Sequence, residues 1–254
     1  MSAYNLNQLI GVRIGASTAT VGHGKDGTTM NKLILPTLKT FLIGTLVLGL
    51  LLFIPAGTLA YWQAWVFIGV FMTCVSAIGV YLSVNDPALL ERRKQIGPAA
   101  EQSPAQRVIM SIAFISILGL LVFCALDYRF RWFRTPTWVS VIGDGLVALG
   151  LLVNLIVFNE NSFGGSTVAT FDDQKVIATG PYAWVRHPMY VGVLVMMAGI
   201  PLALGSWGGL AILGVVVPGL VWRILDEERL LKKELPGYSE YMQKVRYRLV
   251  PYVW

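Results

Sequence analysis

Two stretches of this 254-residue chain hold residue types able to do chemistry together. The first, 159–190, reads NENSFGGSTVATFDDQKVIATGPYAWVRHPMY, and the second, 223–251, reads RILDEERLLKKELPGYSEYMQKVRYRLVP. In the second, Arg223 and Glu227 stand four apart, so a helix puts them on one face. A guanidinium holds a carboxylate through a planar fork. A carboxylate beside it accepts from ammonium or hydroxyl groups. In the first, Arg186-His187-Pro188 opens a helix, where proline is well tolerated. A helix start offers free amide donors and a partial positive charge, a seat for an anion. Tyr190 lies three residues after His187, on the same face. Gly164-Gly165 and Gly180-Pro181 mark turns, with an extended piece between them. Each feature also has a plainer role open to it. Arg223 can snorkel, Asp226-Glu227-Glu228 can be a solvated helix end, and His187 can cap a helix. The basic residues at 229–233 and 244–248 suit anionic headgroups.

The elements that position these segments follow from composition. Apolar residues make up 55% of the chain and charged residues 13%, about half the usual quarter. Mean hydropathy is +0.63. A soluble domain of this size needs more surface charge, and a disordered chain has fewer apolar residues, so both classes are excluded. Two cysteines inside apolar runs and two histidines exclude a disulfide framework, a zinc-ligand pattern and a His-rich metal site. Apolar runs at 37–54, 61–84, 108–126 and 137–158 each suit one crossing, which takes about 20 helical residues. The run 188–222 is too long for one crossing. It is broken at GIPLALGSWGG (199–209), where Pro201 and the glycines predict a turn. A hairpin of two helices, about 188–204 and 210–225, follows. Backbone groups in lipid must pair internally, which requires helices. The expected fold is an all-α polytopic membrane bundle. Four spans occupy 30–158, and 159–254 holds the cofactor-binding region with its hairpin and a cytoplasmic helical tail. Residues 1–29, rich in Gly, Ser and Thr, are expected to be a flexible tail, with Met30 a candidate natural start.

Basic residues set the orientation. With a cytoplasmic N-terminus, the outer segments 55–60, 127–136 and 201–209 carry Arg129, Arg131 and Arg134, leaving 17 of the 20 Lys and Arg residues inside. Tyr61, Trp62, Trp65, Tyr128, Trp132 and Trp138 gather at the outer interface, where such rings prefer to sit. Because a hairpin returns the chain to the side it left, both polar segments are expected at one cytoplasmic site. The spans are nearly bare of the mid-membrane charges that mark transporters, and a transporter is kept as the non-enzyme alternative. Asp144, between Gly143 and Gly145, reads either as a functional acid or as an interfacial residue. Basic residues tied to membrane loops, without a reading motif, exclude nucleic acid.

TGPYAWVRHPMYVG, followed about 35 residues later by RILDEERLL, LPGYSEYMQKV and RLVP, resembles the isoprenylcysteine carboxyl methyltransferases, within the phospholipid-methyltransferase-like integral membrane enzymes. The resemblance covers about residues 154–254; the upstream spans match in number and hydropathy alone. It implies S-adenosylmethionine as methyl donor. The donor would be held by Gln174, Lys175, Val176 and Ile177, by Tyr182, by His187, Pro188, Met189 and Tyr190, and by Glu227 with Glu228 beside it. It assigns Arg223 to a substrate carboxylate and, more weakly, Thr167 to the site. The ending VRYRLVP is one residue longer than the family's, so Arg246 and Arg248 both stand for its arginine. The implied acceptor is a lipophilic, isoprenylcysteine-like carboxylate. Methylation of a small thiol or a phospholipid amine is the alternative, and no metal is implied.

Overall fold

The computed structural model describes residues 26–133, 135–170 and 174–254, with side chains from residue 37 onward. The expectation for residues 1–25, and Arg134, lie outside the described residues. Among the described residues eight α-helices follow one another: α1 (Asp26–Ala56), α2 (Trp62–Asn85), α3 (Pro87–Lys94), α4 (Pro104–Phe130), α5 (Thr137–Glu160), α6 (Pro188–Ala203), α7 (Leu213–Glu234) and α8 (Tyr238–Lys244). Among the described residues there is no β-strand. Among the described residues five helical stretches are long and apolar enough to cross a membrane: Thr37–Ala56, Trp62–Asn85, Pro104–Phe130, Thr137–Glu160 and Gly208–Glu234. The 16-residue α6 rises about 24 Å at 1.5 Å per residue, short of the roughly 30 Å hydrocarbon core.

The outside of the bundle is apolar. Leu42, Leu46, Ile54, Ile115, Val141, Leu152 and Ile156 all point outward and are exposed. A surface of this kind is solvated by lipid rather than water. Trp62, Trp65, Trp132 and Trp138, also exposed, lie near the α1–α2 and α4–α5 turns, as the aromatic pattern predicts. The core joins Leu52, Phe53, Tyr61, Phe67 and Met72 to Leu120, Cys124, Val147, Met197 and Leu204.

The expected hairpin is present, with its turn at Leu204–Trp207 followed by a 3-10 turn, Gly208–Ile212. Tyr61 and Asp127 fasten it. The Tyr61 hydroxyl donates to the Leu204 carbonyl at 2.6 Å. Asp127 accepts from the Ser206 hydroxyl. It also accepts from the Phe133 amide at 2.8 Å. The second arm does not stop at the end of the apolar run. α7 continues through DEERLLKKE because these are good helix formers, and ends ahead of Pro236 and Gly237, where Gly237 takes φ +84°.

α5 and α6 form the tightest pair, antiparallel, and glycines make it possible. A Cβ on Gly150 would lie 2.5 Å from the Gly192 carbonyl oxygen, and one on Gly192 would lie 2.8 Å from that of Gly150. Gly143 and Gly199 make a similar contact about two turns further along. Such small-residue faces let helix backbones meet in lipid. Gly150→Ala is expected to destabilise by about 1–3 kcal/mol, as overpacking does. Gly145→Ala, on the same helix with nothing within 4 Å, is the control. Thermal unfolding in detergent reads both, and equal midpoints for the two variants would remove the close-contact role. Asp144 is buried on α5, toward the hairpin turn, and neither carboxylate oxygen has a hydrogen-bond partner.

Candidate active site

Where α5 and α7 end and α6 begins, the two polar segments come together. Their junction is a bond between Tyr190 and Glu227, 37 residues apart: the phenol donates to Oε2 of the carboxylate at 2.6 Å. Helical geometry splits the acidic triplet. At 3.6 residues per turn, successive side chains point about 100° apart, and each acid finds a different partner. Asp226 accepts from the Gln106 amide at 2.6 Å. Glu227 faces the cavity. Glu228, 3% exposed, turns inward.

Glu228 is the hub of the wall behind the cavity. Its Oε1 accepts from Arg186 Nε at 2.7 Å and lies 3.3 Å from His187 Nε2, while its Oε2 accepts from Arg248 Nε at 3.0 Å. Arg186 also donates to the carbonyls of Val245 and Arg246, at 2.9 and 2.8 Å. The amides of Arg186 and His187 donate to the carbonyls of Tyr247 and Arg248. The C-terminal segment thus folds back over the start of α6. Arg248 supplies a side chain to this hub, whereas Arg246 is exposed and supplies its carbonyl.

The seat for an anion at the start of α6 is reduced by the same contacts. The His187 amide is spent on Arg248, and the Tyr190 amide closes a turn on the His187 carbonyl. Proline has no amide to offer.

Between the two polar segments lies a cavity that is partly open to solvent. Gln174, Lys175, Val176, Ile177, Tyr182, His187, Met189, Tyr190, Arg223 and Glu227 all line it, as does Thr167. Pro188 is buried in the first turn of α6, and Glu228 lies in the supporting wall. Residues 174–178 form neither helix nor strand. Gly180, at φ +54°, turns the chain where a Cβ would meet the Glu160 carboxyl group. Burial pushes the Tyr182 phenol up to about 12. It therefore stays protonated, accepts from Asn161 at 2.9 Å and keeps its own proton to give.

Sequence reasoning missed the contribution of the segment between α3 and α4. Arg223, 6% exposed, donates from Nη1 to Glu101 Oε1 at 2.8 Å and to Gln106 Oε1 at 3.0 Å. Its Nη2 reaches the Ser166 carbonyl at 2.9 Å and its Nε the Tyr190 hydroxyl at 3.0 Å. Glu101 is the one acid in the turn between α3 and α4, and that is the only local signal it gives. Tyr238 and Tyr241 also line the cavity. The Tyr238 hydroxyl is buried with no hydrogen-bond partner. Among the described residues no cluster of three His, Cys, Asp or Glu side chains is placed to hold a metal ion.

Residues 138–236 match the family model of the phospholipid methyltransferases. The mouse Delta(14)-sterol reductase is 33% identical over 94 residues, covering 36% of this chain. That alignment spans 22% of the length of the reductase, whose name denotes a reduction rather than methyl transfer. Among solved structures, the eukaryotic intramembrane Ras methyltransferase, an isoprenylcysteine carboxyl methyltransferase, is similar with a TM-score of 0.45 and 19% identity. The similarity covers 90% of this chain and 88% of that one.

Proposed function

We propose that this chain, whose 138–236 segment is similar to phospholipid methyltransferases, is a multi-pass membrane enzyme that methylates a lipophilic acceptor with S-adenosylmethionine. One observation carries the reading: Glu227, Tyr190 and the Gln174–Ile177 segment converge on a single cavity beside apolar helices. The cavity suits the donor. Glu227 accepts from its ammonium or ribose hydroxyls. The backbone of Gln174–Ile177, which lines the cavity, is placed to contact its base. The partnerless Tyr238 hydroxyl and the Tyr182 phenol supply further polar contacts. His187, Pro188, Met189 and Tyr190 shape the floor, with Glu228 supporting them from behind. When bound, the donor supplies an electrophilic methyl group on a sulfonium. The remaining work of the chain is positioning, worth roughly 7–11 kcal/mol when reactants are well oriented. Donor enters from water and acceptor sideways from lipid, with the cavity in the cytoplasm by the distribution of basic residues.

An isoprenylcysteine-like carboxylate is the acceptor that the sequence resemblance implies, and it needs the Arg223 fork. A thiol or a phospholipid amine needs no such fork, and the engagement of Arg223 with Glu101 favours this second reading. Titration calorimetry of the detergent-solubilised protein with S-adenosylmethionine tests the enzyme reading. Saturable binding is expected. No binding would overturn it, and uptake of the donor across proteoliposomes without methyl transfer would mark a transporter instead.

A further inference from the structure

The ion pair between Glu101 and Arg223 bears on which acceptor the site admits. A guanidinium has five N–H donors. Here four are committed: two to Glu101 and Gln106, one to the Ser166 carbonyl and one to the Tyr190 hydroxyl. A carboxylate gripped by arginine takes two parallel N–H groups, and Arg223 has one left. The occupant is held from its other side as well. Glu101 is 1% exposed, and its second oxygen accepts from the Val168 amide at 3.1 Å. Glu101 thus ties the α3–α4 turn, the 161–170 loop and α7 together. Gln106 extends the network to Asp226. An incoming carboxylate meets Glu227 on the cavity wall and Glu101 behind Arg223, with the positive charge already matched.

We infer that Glu101 is a specificity-determining residue that acts through Arg223. By filling the arginine fork it excludes carboxylate acceptors and leaves the site to an amine or thiol on an apolar carrier. This rests on the methyltransferase reading above. The step balances without a further reactant. The lone pair of nitrogen or sulfur forms the new bond to the methyl carbon and the donor's S–CH3 bond breaks. That electron pair stays on the donor sulfur, and the proton of the nucleophile leaves to water through the open mouth of the cavity. Specificity then comes from an unfavourable contact built against the wrong substrate, as well as from attraction to the right one.

The test offers the full-length protein labelled S-adenosylmethionine with three probes: phosphatidylethanolamine, dodecanethiol and N-acetyl-S-farnesylcysteine. The native protein is expected to methylate the amine or the thiol, and the carboxylate probe at least tenfold less. In Glu101→Gln the negative charge is gone. The ratio of carboxylate to amine or thiol turnover is expected to rise at least tenfold, whereas a merely structural role would lower all three alike. Donor binding measured in parallel separates the outcomes. Donor bound with the carboxylate methylated as well as the others, or with none of the three methylated, overturns this inference and leaves the enzyme reading standing. Absent donor binding overturns the enzyme reading. Where Glu101→Gln fails to fold, a native protein that methylates the carboxylate probe as well as the others still overturns the inference.

Discussion

Replacing Glu228 by alanine is expected to destabilise the protein by about 3–5 kcal/mol, the effect of breaking a buried ion pair from one side. The reason is what remains behind. The Arg186 side chain is 4% exposed, and without Glu228 its charge has no carboxylate partner among the described residues. Its two carbonyl acceptors satisfy hydrogen bonds but do not neutralise charge. Arg248 and His187 lose the same anchor, so the C-terminal segment loosens from the start of α6. Donor binding falls with it, because His187 and Tyr190 lose their register against the cavity. Glu228→Gln keeps one acceptor oxygen and is expected to fall between alanine and native. Chemical unfolding in detergent reads the difference, and an alanine variant within about 1 kcal/mol of native would end the hub role.

Glu227→Ala is expected to act on binding with little effect on folding, although it is the next residue along. Its side chain is 23% exposed and faces the cavity. Its removal leaves the Tyr190 hydroxyl still engaged by Arg223 at 3.0 Å. A hydrogen bond to a charged group contributes about 1.5–3 kcal/mol. Affinity for S-adenosylmethionine is therefore expected to fall roughly 10- to 150-fold at 1.4 kcal/mol per tenfold. Calorimetry measures this directly. Unchanged donor affinity would place the donor's ammonium or ribose away from Glu227. The contrast between adjacent acids is the sharper result, because one is expected to change stability and the other affinity.

The parts of this molecule that were readable in advance depend on local properties of the chain. Crossing helices are legible because hydrocarbon thickness sets their length and lipid excludes charge along it. The hairpin is legible because a 35-residue apolar run with Pro201 and four nearby glycines cannot cross once. That the two polar segments meet follows from the same count of crossings, and the Tyr190–Glu227 bond is its outcome. What a counting argument does not contain is the partner of each charge. Arg223 meets Glu101 across 122 positions, and nothing near either residue states the pairing. Three adjacent acids look alike in a string, and only the 100° turn between them sends one to Gln106, one to the cavity and one to Arg186. The start of α6 reads as an open anion seat until the chain end folds back and uses the His187 amide. Hydropathy and length act residue by residue and survive in the linear order. Burial forces each charge to find a counter-charge, and which one it finds is a property of packing, decided when distant segments are pressed together.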